Sequence, residues 1–221
     1  VKGLTGYNPN DPLYFQQWNK AMMNADTMQS IVNNDTTMDD TKIIIAILDT
    51  GVDTAHVDLK NKLVINQIEK NGTAGIDDDE NGYIDDYRGW NSGQRSPLVF
   101  SEVSILDGHG TNVAGVIGAR GNNGDGVSGV NWNIKILPIN TYPNNLLNVE
   151  SAVIRAMVYA FKQKQLYLQT NKSKGINIVA LNMSLGMDNA FPADAEYWCT
   201  LFDSLGSVGI WSYNATTNRN V

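Results

Sequence analysis

The sequence predicts an α/β fold in three layers: a central, mostly parallel sheet with helices on both faces. Three observations predict it. Residues 42–48, 134–139 and 176–181 are nearly continuous apolar runs rich in β-branched side chains, the pattern of strands buried on both faces. Residues 149–169 place Val153, Ile154, Met157, Val158 and Phe161 at helical spacing. Strand and helix then alternate along the chain, which feeds parallel strands through helical crossovers.

Each element has its own reason. Residues 1–20 carry Tyr7, Pro9, Pro12, Tyr14, Phe15 and Trp18 among asparagines. They read as a segment anchored by its rings, without regular structure before Gln16. Met22, Met23, Met28 and Ile31 give 21–40 the spacing of a short amphipathic helix, followed by a turn-prone polar run. The first buried strand ends at Asp49-Thr-Gly-Val-Asp53. Carboxyl ends of parallel strands are where ligands and reacting groups gather, so Asp49 is either a functional acid or a turn residue before Gly51. Residues 107–119 hold His109 among Gly108, Gly110, Ala114, Gly115, Gly118 and Ala119. Each glycine costs a helix roughly 1 kcal/mol against alanine, so close packing must compensate. Residues 192–205 read as a helix and 209–213 as a short strand ending at Asn214. No internal repeat or low-complexity linker appears, and 1–221 reads as a single domain.

Composition narrows the function. The chain has 221 residues, 42% apolar and 18% charged, with a net charge of -7. That describes a globular domain and disfavours nucleic-acid binding, which needs a basic face. Cys199 stands alone, so a disulfide scaffold is excluded, though the count does not fix the compartment. No apolar run is long enough to span a membrane. No signal peptide is evident, and the start at Val1 is expected of a processed or trimmed chain.

Acidic residues gather between 77 and 86. Asp77, Asp79, Asn81 and Asp85 supply oxygens at alternate positions, Gly82 allows a sharp turn, and the Tyr83 carbonyl offers a further ligand. Calcium takes six to eight such oxygens. Arg88 stands where an EF-hand has its last Glu, so the run is a calcium loop of another kind or an acidic solvated turn. The glycine-rich stretch 120–129 lacks the Lys-Ser/Thr ending of a phosphate loop. With only His56 and His109, and no close histidine pair, catalytic zinc is disfavoured. His56 reads as a structural residue in the turn after Asp49.

An acid after a buried strand and a histidine opening a helix suit a triad, the acid orienting the imidazole and the imidazole taking a proton from a hydroxyl. Asn214, at a further strand end, would donate to a developing oxyanion. Asp49-Thr-Gly-Val-Asp53, Gly108-His-Gly-Thr-Asn-Val-Ala-Gly115 and Asn182-Met-Ser-Leu-Gly186, in this order, resemble the motifs of subtilisin-like serine proteases, the subtilases. The likeness covers nearly the whole chain. It implies a subtilisin-like fold and a serine endopeptidase of secreted or cell-surface location, with Asp49 and His109 in the triad and Asn214 in the oxyanion hole. It implies that Ser184, Leu185 and Gly186 pair with an extended polypeptide substrate through the main chain. It also implies calcium as cofactor and a removed inhibitory propeptide. Asp11, Asp58 and Asn123, with the carbonyls of Gly121, Asp125 and Val127, match the family's strong calcium site, and the 77–85 loop resembles a second site. Two stretches depart from the pattern. Trp211, Ser212 and Tyr213 replace Ala-Ala-Gly before Asn214, and Asn112 replaces a second histidine.

The family's nucleophile lies in a Gly-Thr-Ser-Met-Ala motif, and the sequence reaches Val221 without one. Three explanations stand: a C-terminally incomplete piece of a longer protease, a fold completed by a separate chain, or a catalytically dead, calcium-stabilised module that binds peptides. Loss of the serine-bearing helix is expected to leave an apolar face of the sheet exposed.

Overall fold

A computed structural model describes residues 9–32, 43–100, 108–142, 149–186, 193 and 195–215. Five strands form one sheet: β1 (Ile44–Asp49), β2 (Trp90–Asn91), β3 (Lys135–Asn140), β4 (Ile178–Met183) and β5 (Trp211–Asn214), in the order β2-β3-β1-β4-β5. Every pairing is parallel. The carboxyl ends therefore share one edge.

β1 shows why its sequence is apolar without alternation. Ile44, Ala46 and Leu48 point into one core with Val153, Ala156, Met157 and Ala160 of α5 (Val149–Gln169). Ile47 points into a second core with Ala114, Ile134 and Ile136, under α4 (Gly108–Gly118). Both faces of the strand are covered, so both sets of side chains must be apolar. α6 (Glu196–Ser207) packs beside α5 through Trp198 and Leu205.

The remaining helices are short: α1 (Trp18–Met22), α2 (Ala25–Val32) and α3 (Gln67–Asn71). α1, α3 and β2 lie in stretches whose sequence shows no strong period. A 3-10 turn, Tyr14–Gln16, forms where the sequence suggested irregular chain, because Tyr14 is buried and sits under Lys20. The last two elements begin later than expected. α6 starts at Glu196; Pro192 lies outside the described residues. β5 starts at Trp211, since Gly209 turns the chain at φ 82°.

Coverage fails at one place. Trp211 and Tyr213 pair with Ala180 and Asn182 of β4, on the α4 side of the sheet. α4 lies over β1 and β3, and no described helix covers β5 there. Trp211 is 73% exposed and Tyr213 61%. Two aromatic side chains of this edge strand therefore stand exposed. Phe15, Trp18 and Met22, more than 70% exposed, make a second exposed patch near the amino end.

Candidate active site

β1 ends on Asp49, and the chain turns at Thr50 and Gly51, the latter at φ 107°. The Asp49 carbonyl accepts from the Thr141 amide at 2.8 Å and the Thr141 hydroxyl at 3.2 Å. Its carboxylate Oδ1 accepts from the Thr50 amide at 2.7 Å. Oδ2 is buried and has no protein partner. The residue is 3% exposed, so the carboxylate is held in one orientation away from water.

α4 brings the imidazole to it. A Cβ on Gly110 would lie 2.2 Å from the Gly51 carbonyl oxygen and 3.1 Å from Asp49 Oδ1. Only glycine allows that approach. At the other end a Cβ on Gly118 would strike Ile134 at 2.6 Å. Gly110 and Gly118 therefore let the helix dock closely at both of its ends. Two polar contacts pin its first turn: the Gly110 amide donates to Thr50 Oγ1 at 3.0 Å, and Thr111 Oγ1 accepts from the Asp53 amide at 2.9 Å. The first contact satisfies a donor that has no partner within the helix.

The result is a hydrogen bond of 2.7 Å between His109 Nδ1 and Asp49 Oδ1. The carboxylate is buried while the ring is 55% exposed. With Nδ1–H donating to the carboxylate, Nε2 carries the lone pair and faces outward as a base. The charge of Asp49 also reaches Tyr142. Burial first, and that carboxylate second, hold the Tyr142 phenol above its usual range.

The other strand ends lie on the same edge. Leu48 pairs with Met183, and Met183 with Asn214. Asn214 therefore stands two strands from β1, about 10 Å away across the sheet, and it is exposed. Ser184 and Leu185 are partly buried and Gly186 is exposed. Ser184 Oγ accepts from the Asn182 side chain at 3.0 Å. The Ala215 amide donates to the Met183 carbonyl at 3.0 Å, which carries the β4–β5 pairing past Asn214.

Sequence and structure match known proteins. The model of the subtilase family, Peptidase_S8, matches residues 40–216. The chain belongs to the subtilase family. Among its relatives, Subtilisin-like protease 1 of Plasmodium vivax is 36% identical over 138 residues, 62% of this chain and 20% of that protein. The major intracellular serine protease of Bacillus subtilis is 32% identical over 123 residues, 55% of this chain and 31% of that one. This subtilase chain thus spans between a fifth and a third of such relatives. A solved protease from Pseudoalteromonas arctica shares the fold with a TM-score of 0.56 at 22% identity, covering 94% of this chain and 58% of that one.

Two acidic pockets flank the subtilase site. In the first, Asp11 and Asp58 are each 1% exposed and meet around the loop after Arg120. Asp11 Oδ2 accepts from the Asn122 amide at 2.7 Å, and Asp58 Oδ1 from the Asn123 side chain at 2.8 Å. Asp58 Oδ2 accepts from the Val127 amide at 3.1 Å. A Cβ on Gly126 would sit 2.0 Å from that oxygen, so the loop is cut to fit the carboxylate. Asp125 donates its amide to Asn123 Oδ1 at 3.1 Å, and Gly121 lies against the Trp132 ring. Three segments far apart in sequence meet here, a closure that spacing alone does not reveal.

In the second pocket Asp79 is joined by Glu69 and Asp86, which the reading of 77–85 missed. One ligand atom from each lies within 4.8 Å of the others, and all three residues are buried. Desolvation, with a smaller contribution from Asp79 and Glu69, pushes the Asp86 carboxyl up to about 7. Asp77 instead caps the turn, accepting from the Asn81 and Gly82 amides at 3.0 and 2.7 Å. Asp85 accepts from the Gly75 amide at 2.8 Å. The Tyr83 ring packs edge-on against Trp90 and Tyr159. Glu69 is on α3, eight residues before the motif, and nothing in its spacing marks it.

Buried hard oxygens in such number fit a divalent cation, which would offset the cost of gathering like charges. His56 lies outside both pockets; its Nδ1 accepts from the Asp58 amide at 3.2 Å. Among the described residues no helix is long and apolar enough to cross a membrane.

Proposed function

We propose that the chain is the acid-and-base part of a serine endopeptidase that cleaves polypeptides through an acyl-enzyme. The observation that carries this is the 2.7 Å contact between a buried Asp49 and an exposed His109 at the carboxyl edge of a parallel sheet. In that mechanism Asp49 holds the imidazole with Nδ1 protonated. His109 Nε2 removes the proton from a serine hydroxyl as the oxygen attacks the scissile carbonyl, then returns it to the leaving amine. Asn214 donates from its side-chain amide to the oxyanion that forms. Ser184, Leu185 and Gly186 hold the substrate as an added strand.

Among the described residues no hydroxyl is hydrogen-bonded to His109. In this reading the nucleophile is a serine of the parent protease that lies beyond Val221. Exposed Trp211 and Tyr213 support this, since a parallel strand of this kind is normally covered on both faces. The same proposal places calcium at Asp11, Asp58 and Asn123, with the carbonyls of Gly121, Asp125 and Val127. It places a second cation at Glu69, Asp79 and Asp86, with Asp77, Asn81, Tyr83 and Asp85 around it. The ion supplies positive charge that ties loops together and resists local unfolding. Export from the cell, where millimolar calcium is available, and a removable propeptide belong to this reading.

A fluorophosphonate probe tests it on the intact protein. Covalent labelling of a serine, lost on His109→Ala, is the expected result. A folded intact protein that binds peptide but takes no label is a binding module with a dead site.

A further inference from the structure

The side of α5 that carries Ile154, Arg155 and Val158 closes a cavity of about 300 Å³, and Tyr83, Trp90 and Arg95 form its remaining walls beside Gly82. Neither Asp49 nor His109 lines it. Two of its features are unusual in a chain with 23 acidic and 16 basic residues. Its charged groups are two arginines, Arg95 and Arg155, which line the same cavity. Among the described residues neither guanidinium meets a carboxylate. Burial first, and the Arg95 charge second, hold the Arg155 guanidinium below its usual range.

Local structure holds the Arg155 guanidinium and the backbone turn that carries Arg95. Arg155 Nε donates to the Ser92 carbonyl at 2.8 Å and Nη1 to Ser151 Oγ at 3.1 Å, which fixes the guanidinium plane at the cavity wall. Arg95 takes a left-handed backbone at φ 55°. The turn around it is closed by reciprocal backbone bonds between Asn91 and Ser96 of 2.8 and 3.1 Å. Asn91 Oδ1 also accepts from the Gln94 amide at 2.9 Å. Arg95 itself is exposed and makes no hydrogen bond among the described residues. Two like charges kept together without a counter-charge are disfavoured unless an anion joins them. Arginine forks match the planar, two-oxygen geometry of a carboxylate.

The other walls decide the rest of the ligand. Tyr83 and Trp90 meet edge-on with ring centres 5.1 Å apart, and Ile154 and Val158 complete an apolar lining. A bare phosphate has nothing to offer such walls. We infer that this cavity binds a carboxylate carried on a short apolar stem, either a glutamate side chain of a bound polypeptide or a free small carboxylic acid. The inference stands independently of whether His109 serves a nucleophile.

Calorimetric titration of the intact protein tests it with two matched pairs. One pair is benzoate and neutral benzamide; the other is a capped Ala-Glu-Ala peptide and its Gln counterpart. In at least one pair the carboxylate binds about tenfold tighter than its amide, the scale of one charge-assisted hydrogen bond. Arg95→Gln and Arg155→Met each abolish that preference. Arg95 is exposed, so its variant keeps the parent melting temperature. A preference confined to benzoate identifies a free acid as ligand, and one confined to the peptide identifies a polypeptide. If neither carboxylate outbinds its amide, or if the preference survives in Arg95→Gln, the inference is overturned.

Discussion

The sheet has a covered side and an exposed one. At β1, Asp49 is 3% exposed, and the strand is covered by α5 on one face and α4 on the other. At β5, two aromatic side chains stand in the open, Ser212 Oγ is buried without a partner, and so is Trp198 Nε1 on neighbouring α6. The acid and base are prepared by contacts wholly within the described chain. The proposed oxyanion donor, Asn214, sits on the exposed strand, where no described helix covers the α4 side. Positioning a general base needs one helix docked on one strand; completing a substrate cleft needs every layer of the fold.

The largest effect that would break this contrast is chemical. In the intact protein His109→Ala is expected to lower kcat by roughly 10⁶-fold, the scale of a lost triad member in a subtilisin, measured with a chromogenic peptide. Activity kept within tenfold would mean that the Asp49–His109 contact is only structural. Asn214→Ala removes one proposed oxyanion donor and is expected to cost about 10²–10³ in kcat with little change in KM. An equal rise in KM would instead assign Asn214 to ground-state binding.

Two stability measurements sharpen the covered side. Chelation of calcium is expected to lower the melting temperature by about 10 °C, since a cation bound at a thousandfold its Kd contributes about 4 kcal/mol and each kcal/mol is worth about 2–4 °C in a protein this long. Asp58→Asn should reproduce part of that loss and blunt the response to chelator. An unchanged melting curve after complete removal would sink both cation sites. Gly110→Val drives a side chain into the Gly51 carbonyl and is expected to cost about 3 kcal/mol in denaturant unfolding. The smallest effect belongs to β5. In the chain alone Trp211→Ser should change unfolding by less than about 0.5 kcal/mol, because its side chain is largely in water. A larger loss would show that Trp211 is already packed.

Much of the sheet was legible beforehand because burial on both faces leaves a mark in every residue of a strand. Residues 42–48 read as a strand for that reason, and 149–169 as a helix because its apolar spacing is long. β2 escaped notice. Two residues carry no period, and Trp90 joins the sheet only because it pairs with Ile139. The strand starting at Trp211 was expected at Gly209, since apolar character continues through a residue that the backbone uses to turn. Asp49 and His109 were picked out by motif. Glu69 and Asp86 were not, because one sits on an unremarkable helix and the other falls one place past the alternating oxygens.

By itself the sequence determined the layers, the direction of the strands and which acid and histidine end at one edge. Those follow from local patterns of burial and from short motifs. The tertiary structure decided what converges from afar: the 2.7 Å contact that turns two motifs into a pair, the acids that gather from α3 and its following loop, and the two arginines left facing an apolar cavity. Spacing along a chain records which face a residue takes. It does not record which residues from other segments will share that face, because that depends on how the layers close.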